Sequence, residues 1–382
     1  SPGSGSMRIL VLHDEFPPGG GGGGRATAAL CTALAQRGHE LHVITSRAPD
    51  LAPEETLDGY RVSRVATGRK SRYRASFASM AGYVVGALLP AVRLARSWKP
   101  EVIHAHFAVP TGVLALRLSK IARIPYVVTA HLGDVPGGVP EKTDRWFRFA
   151  YPFTPSVWRN AARVVAVSEH TRSLALRHYE VGIDVIPNGI QLPRHGPVST
   201  SYPPRLIFAG RFQPQKNLPM LVEMLGRVQD VPWRCELLGD GPDRPAITKL
   251  VRSHDLGSRV EMPGWVDGEV VEERFKASDL LLLTSRSEGL PVVGVQALAI
   301  GLAILASRAG GLSELVENEV NGRLCEVDDL DCFEHALRWC LEDRDRLLAM
   351  KRASRMRAER FDIRQIAEQY EAVLQEAAQS AV

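Results

Sequence analysis

At 382 residues and 45% hydrophobic content, the chain can build two cores, because single cores stop growing near ~250–300 residues. A net charge of +4 without long charge runs gives no case for nucleic-acid binding. No run of ~18 apolar residues free of charge appears, which leaves no credible membrane span.

Ser1–Ser6 (SPGSGS) precede Met7 and read as an appended leader outside the fold, with no signal peptide before the first strand. From there, strand-length apolar runs alternate with helix-length amphipathic segments, the signature of parallel α/β sheets. In the first half, strands are expected at 8–12, 41–45, 61–65, 102–106, 126–129, 164–167 and 185–186. In the second half they are expected at 205–209, 235–238, 260–262, 280–284, 303–306 and 322–325. Helices fall between them, among them 25–37, closed by Gly38, and 218–228. The stretch 188–204 (NGIQLPRHGPVSTSYPP) has little periodicity and reads as a linker. It separates a doubly wound domain at 7–190 from another at 205–362. A final helix at 363–382 either stays on the second domain or crosses back to the first. Ligands of such sheets sit beyond the carboxyl ends of the strands, and His13, His131, Arg211, Gly239 and Glu288 all follow predicted strand ends.

Several residues of the first half could carry chemistry. His13 and Pro17-Pro18 lead into six glycines, Gly19–Gly24, before the helix expected from Arg25. Glycines allow close backbone approach and helix N-termini favour anions, but the same run also reads as a floppy surface loop. It is no dinucleotide fingerprint, since the next strand ends in Thr45-Ser46-Arg47 with no acid for a ribose. The residues alone therefore argue against a nicotinamide oxidoreductase. His131, after an apolar strand and before Gly133-Asp134, could donate to a sugar hydroxyl. His104 and His106 share one face of a strand, where a metal would need a third ligand that the neighbouring sequence lacks. Between Asp58 and Glu101 there is no acid but nine cations (Arg61, Arg64, Arg69, Lys70, Arg72, Arg74, Arg93, Arg96 and Lys99), together with the apolar segment 77–94. This stretch suits an anionic membrane surface and a lipid-linked acceptor, or else an internal helix with solvated arginines. The five cysteines (Cys31, Cys235, Cys325, Cys332, Cys340) are scattered. They are expected to be reduced thiols of a cytosolic protein, at the inner face of the membrane if the basic stretch docks there.

Two stretches of the second half decide the reading. Gly210-Arg211 and Lys216-Asn217 put two cations at a strand end, with Asn217 placed to cap the next helix. Glu288-Gly289-Leu290-Pro291 then puts a carboxylate at the mouth of an apolar helix. Pro291 suits its first position, and the N–H groups of Val292 and Val293 would be free for a phosphate. Gln296, the one polar residue of that helix, needs hydrogen bonds that ribose hydroxyls would supply. Fixed cations and free N–H groups suit a diphosphate, and a carboxylate suits sugar hydroxyls.

With these motifs, with Ile186-Pro187-Asn188-Gly189, Gly239-Asp240-Gly241-Pro242 and Asn321-Gly322, the chain resembles a family 4 retaining glycosyltransferase of the GT-B fold. The resemblance runs nearly end to end. It implies two Rossmann-like doubly wound α/β domains facing across a cleft, the first for the acceptor and the second for a nucleotide sugar. It implies that Arg211 and Lys216 hold the donor diphosphate and that Glu288 meets sugar hydroxyls. Backbone at Gly210, Gly239, Gly241, Gly289, Leu290, Val292 and Val293 would approach the donor, Gly23 and Gly24 would lie at its phosphates, and His131 near the sugar 6-position. Trp265 and Val266 would lie by the base. The co-substrate would be a nucleoside-diphosphate sugar, with no cofactor and a dispensable metal; the acceptor would be a glycan, glycolipid or small molecule. The family usually carries a second glutamate where this chain has Gln296, so altered ribose contact is expected. A scaffold subunit that binds sugar nucleotides and a sugar-nucleotide epimerase remain as rivals.

Overall fold

A computed structural model describes residues 5–18, 21–48, 50–67, 77–139, 152, 154–193 and 196–380. The chain divides into two compact units, Ser1–Gln191 with Asp362–Val382, and Leu192–Phe361.

The first unit holds one sheet built from β1 (Arg8–Leu12), β2 (Glu40–Ser46), β3 (Glu54–Leu57), β4 (Tyr60–Val65), β5 (Val102–His106), β6 (Tyr126–Ala130), β7 (Arg163–Ala166) and β8 (Asp184–Val185), in the order β3-β4-β2-β1-β5-β6-β7-β8. Pairing is parallel except at the β3–β4 edge. The sequence reading missed β3 (EETL) because an exposed, charged edge strand carries no apolar alternation. Central strands are buried on both faces, as parallel sheets require. In β1, Leu10 and Leu12 enter one core with Tyr83, Leu114 and Trp158, whereas Ile9 and Val11 enter the other with Leu30, Leu34 and Ile366.

The helix Ile363–Ala378 packs on the first unit. Ile363, Ile366, Tyr370 and Leu374 share the core with Leu30, Leu34 and Ile186. Glu371, 5% exposed, accepts from His39 Nε2 at 2.9 Å and is ion-paired to Arg37. A side chain at Gly189 would come within 2.8 Å of Ile363 Cδ1, so the Asn188-Gly189 turn fits against this helix only without a Cβ.

The second unit holds β9 (Arg205–Ala209), β10 (Arg234–Leu238), β11 (Val260–Gly264), β12 (Leu280–Leu283), β13 (Ala303–Ser307) and β14 (Gly322–Cys325), all parallel, in the order β11-β10-β9-β12-β13-β14. Its main core gathers Phe208, Phe212, Leu221, Trp233, Leu282 and Phe333. In each sheet the winding reverses once, between β1 and β5 and between β9 and β12. Such reversals open the crevice where α/β sheets bind ligands.

One expectation is corrected. Cys325, ending β14, and Cys332, in the first turn of the helix Leu330–Leu341, are disulfide-bonded with Cα atoms 5.8 Å apart. The turn between strand and helix folds the chain back, a proximity that linear spacing does not display. Cys31, Cys235 and Cys340 are free and buried.

Candidate active site

In the second unit, Gly210 and Arg211 leave β9, and Ser285–Glu288 follow its neighbour β12, at the point of reversal. Four hydrogen bonds stitch the short turn Pro214–Lys216 to the loop after β12. Thr284 Oγ1 donates to the carbonyls of Lys216 (3.0 Å) and Asn217 (3.1 Å), the Arg286 N–H to the Gln215 carbonyl (2.8 Å), and Gln215 Nε2 to the Ser287 carbonyl (2.8 Å). That frame brings Lys216 Nζ to 2.5 Å from Glu288 Oε1, which also accepts from Ser285 Oγ at 2.7 Å. The carboxylate is 5% exposed, and its Oε2 makes no hydrogen bond among the described residues. Lys216 and Glu288 are therefore a partnered cation and anion, a tighter unit than the separate phosphate and sugar ligands expected from sequence.

Asn217 does not cap the helix Leu218–Arg227. Its backbone is left-handed (φ 51°) and turns the chain into that helix, while its side-chain Nδ2 donates to Asp328 Oδ1 at 2.7 Å. Asp328 also pairs with Arg286 at 3.1 Å.

The next element supplies backbone donors. The helix Val292–Ile300 is preceded by Pro291 in an extended conformation (ψ 126°), so Pro291 stands one position earlier than expected and is the N-cap. No side chain caps this end, and the first N–H groups of a helix, here from Val292 and Val293, have no intrahelical partner. The helix is buried along most of its length, from Gly294 to Ile300. On it, Gln296 carries a buried Oε1 with no protein partner among the described residues, the kind of group that calls for a ligand or water.

The glycines serve close approach. A Cβ at Gly239 (φ +134°) would sit 1.8 Å from the Gly210 carbonyl, and the Gly210 N–H donates to Leu238 at 3.0 Å. Gly241 crosses Phe212, whose carbonyl would lie 2.3 Å from a Cβ there. The loops after β9 and β10 thus stack backbone on backbone. Gly289 is covered in the same way, since a Cβ at Gly311 would meet its carbonyl at 1.6 Å; Leu290 beside it is 4% exposed. Trp265 and Val266 follow β11 at the sheet edge, both half-buried.

In the first unit, the loop after β6 carries His131. Asp134 secures it, accepting from the His131 N–H at 2.9 Å through Oδ1 and from the Ala108 N–H at 2.6 Å through Oδ2. His131 Nε2 lies 3.2 Å from His106 Nδ1, and Phe107 stacks on the His131 ring with centroids 4.4 Å apart. Phe107 has a positive φ (73°, with ψ 125°), uncommon for an aromatic residue and the sort of outlier that clusters at functional sites. His104 packs on His106 (centroids 4.1 Å), and His13 lies beyond at 5.7 Å. Burial pushes His104 and His131 down to about 3 and His106 well below the usual imidazole range, with neighbouring histidines adding to each shift. Burial also pushes the Asp134 carboxyl up to about 6, against the pull of its backbone donors.

The glycine run differs from expectation in one respect: the helix begins at Gly22, not Arg25. Gly24 has no room for a side chain, since its Cβ would stand 2.2 Å from the Glu15 carbonyl; one on Gly23 would touch Phe107 at 3.1 Å and approach His131 Nδ1 to 3.8 Å. Gly19 and Gly20 lie outside the described residues. Among the described residues, no three His, Cys, Asp or Glu side chains converge to hold a metal ion.

The Glycosyltransferase Family 4 model matches residues 20–194 and the Glycosyl transferases group 1 model residues 196–357. The chain belongs to the family 4 glycosyltransferases. It is 31% identical, over 58% of its own length, to a putative teichuronic acid biosynthesis glycosyltransferase of Bacillus subtilis, and that match spans 56% of the relative. In fold it is similar to the sucrose-phosphate synthase of Thermosynechococcus elongatus (TM-score 0.85, 21% identity, 97% of this chain and 98% of that one). It is likewise similar to the Anabaena HepE protein solved with UDP and glucose (TM-score 0.76, 21% identity, 97% and 99%). These fold neighbours make the two Rossmann-like α/β units a GT-B glycosyltransferase architecture.

For this glycosyltransferase, sequence reasoning missed Asp328, Gly311 and Phe107 at the candidate site, and singled out His106 only as a possible metal ligand. Phe107 and His106 had a signal: His-x-His-Phe ends a strand beside the one that carries His131. Asp328 and Gly311 had none, because their contacts are made across long sequence separations.

Proposed function

We propose that this glycosyltransferase moves a hexose from a UDP- or GDP-linked sugar to an acceptor hydroxyl with retention. The observation that carries the reading is the shielded Lys216–Glu288 pair, held in the loops after β9 and β12 that also carry Arg211 and lead to the uncapped N-terminus at Val292. Arg211, Lys216 and the Val292 and Val293 N–H groups stabilise charge growing on the leaving diphosphate, and stabilisation of developing charge by preorganised donors is usually what lowers such barriers most. Gly210, Gly239, Gly241, Gly289 and Leu290 let backbone reach the phosphates. Glu288 Oε2 accepts from sugar hydroxyls, Gln296 meets the ribose, and Trp265 and Val266 flank the base.

His131 donates to a carbohydrate oxygen in the first unit, near Gly23 and Gly24. Two side-chain cations supply the positive charge that Mg²⁺ supplies elsewhere, so the reaction runs without metal and without any cofactor. Among the described residues we assign no carboxylate as a nucleophile; a donor phosphate oxygen takes the acceptor's proton on the face from which the diphosphate departs.

The test is a thermal-shift screen of UDP- and GDP-sugars followed by donor hydrolysis. Ligand at 100 times its Kd stabilises by ~2.7 kcal/mol, a shift of a few degrees for a chain of this size. Slow release of sugar to water marks the enzyme. A donor that binds and stays whole marks the scaffold, and an interconverted sugar marks the epimerase.

For the acceptor, we favour a glycan or glycolipid at an anionic membrane surface. The helix Phe77–Trp98 buries Tyr83, Ala87, Ala91 and Ala95 but exposes Val85 (78%) and Leu89 (57%), followed by exposed Arg93, Arg96 and Lys99. The same helix, half-buried with its arginines in solvent, also fits the alternative of an internal helix with solvated arginines. Arg69, Lys70, Arg72 and Arg74 lie outside the described residues, and among the described residues no helix is long and apolar enough to cross a membrane. Co-sedimentation with anionic but not zwitterionic vesicles, weakened by salt, is the expected result.

A further inference from the structure

His106 is 2% exposed, and its Nε2 has no hydrogen-bond partner among the described residues. Its Nδ1 faces two groups, Thr27 Oγ1 at 3.1 Å and His131 Nε2 at 3.2 Å. A neutral imidazole has one N–H. Placed on Nε2, that proton would make an orphaned buried donor, which folded proteins rarely contain. The proton therefore belongs on Nδ1.

The partners agree with this choice. The Thr27 hydroxyl already donates to the Gly23 carbonyl at 3.0 Å, so its oxygen is available as an acceptor. His106 Nδ1–H is shared between that oxygen and His131 Nε2. His131 Nε2 is then an acceptor, which leaves the single proton of a neutral His131 on Nδ1. That nitrogen makes no hydrogen bond among the described residues and points toward Gly23, at the start of the helix Gly22–Gln36.

We propose that His106 is a positioning residue that locks His131 in the Nδ1–H tautomer, so that His131 meets its ligand as a hydrogen-bond donor and not as a base. The group it selects is an acceptor oxygen of a carbohydrate or its phosphate. Phe107 stacks on the ring and Asp134 anchors the His131 backbone N–H, while His106 sets the ring's proton. Burial keeps both rings neutral at pH 7, so the donor is an imidazole and not an imidazolium. The ligand's identity rests on the proposed function; the tautomer does not.

The experiment is long-range ¹H–¹⁵N correlation NMR of the histidine rings in the full, ligand-free chain at pH 7, with resonances assigned from a His131→Gln spectrum. The expected result is a protonated Nδ1 on both His106 and His131. His106→Asn keeps an amide donor near the position of Nδ1 and is expected to retain the His131 tautomer. His106→Leu removes the donor; His131 is expected to shift toward Nε2–H, with kcat on a nucleotide sugar falling roughly five- to tenfold, the worth of one lost hydrogen bond. If His106→Leu does not fold, wild type and His106→Asn decide alone. An unprotonated His131 Nδ1 in the wild type, or a His106→Leu spectrum identical to it, overturns the proposal. A chain with the expected tautomers that turns over no nucleotide sugar sinks the proposed function and leaves this inference standing.

Discussion

The second unit builds its candidate site from charge, whereas the first builds its own from neutral rings. Around Glu288, an ammonium and a carboxylate pair beside an uncapped helix end at the reversal of one sheet, where Arg211 follows β9. Around His131, buried imidazoles are pushed below their ordinary range, and His106 and His131 share a hydrogen bond. The difference follows from what each site is suited to hold. A diphosphate leaving group calls for permanent positive charge, which Arg and Lys keep at any physiological pH. A sugar oxygen calls only for a directed donor, and a neutral imidazole supplies one without the desolvation cost of a buried ion.

The sharpest way to break this contrast is to remove a charge. Arg211→Ala is expected to lower kcat by roughly 10²–10³, the cost of losing one transition-state donor; steady-state kinetics retaining most of the turnover would take Arg211 out of the mechanism. Next comes the shielded pair. Glu288→Leu leaves Lys216 without its carboxylate, and chemical denaturation should show a loss of about 2–3 kcal/mol, below the ~3–5 kcal/mol of a fully buried pair because Lys216 can turn toward solvent. Adding Lys216→Met should recover most of that stability while leaving activity abolished.

Acid tests the neutral side of the comparison. His104 and His131 titrate near 3 in the folded chain and near 6.5 when unfolded. Between those values the unfolded chain binds the extra protons, so their stabilising effect is full above pH 6.5 and is lost as pH falls. Asp134, held at about 6 against ~3.9 unfolded, acts in the opposite sense, gaining stability as pH falls from 6 to 4. Two imidazoles outweigh one carboxyl, so acidification from pH 6.5 to 4.5 should destabilise the first unit by about 1.4 kcal/mol per pH unit for each net proton. A first-unit probe that melts at the same denaturant concentration across that range contradicts the neutral cluster. The smallest effect is expected at Gln296, where Gln296→Glu should change the donor KM a few-fold with kcat preserved, because only a ribose contact is altered.

Much of the second site was legible in sequence because local chemistry carries it. Pro291 before an apolar helix, glycines after strand ends, and Gly210-Arg211 with Lys216 all sit within short segments whose meaning is set by backbone geometry. Boundaries followed the same logic: strand β5 coincides with its apolar pattern, the last helix begins where it was expected, and Pro291 missed its helical position by one residue because an N-cap and a first turn look alike in sequence. What stayed hidden was partnership. Nothing in the order of residues says that Lys216 is neutralised by Glu288, that Asn217 turns to Asp328 instead of its own helix, or that Cys325 reaches Cys332.

By itself, then, the amino-acid order determined the alternation of strands and helices, the presence of two α/β units, and the residue types able to grip a diphosphate and a sugar. Period and turn chemistry act over a few residues, so they can be read there. Tertiary structure alone decided which sheet the final helix covers, which acid each cation meets, and where the protons of the histidine cluster rest. Those outcomes depend on burial and on distances between strands that are neighbours in space but far apart in the chain, and desolvation has no address in a linear pattern.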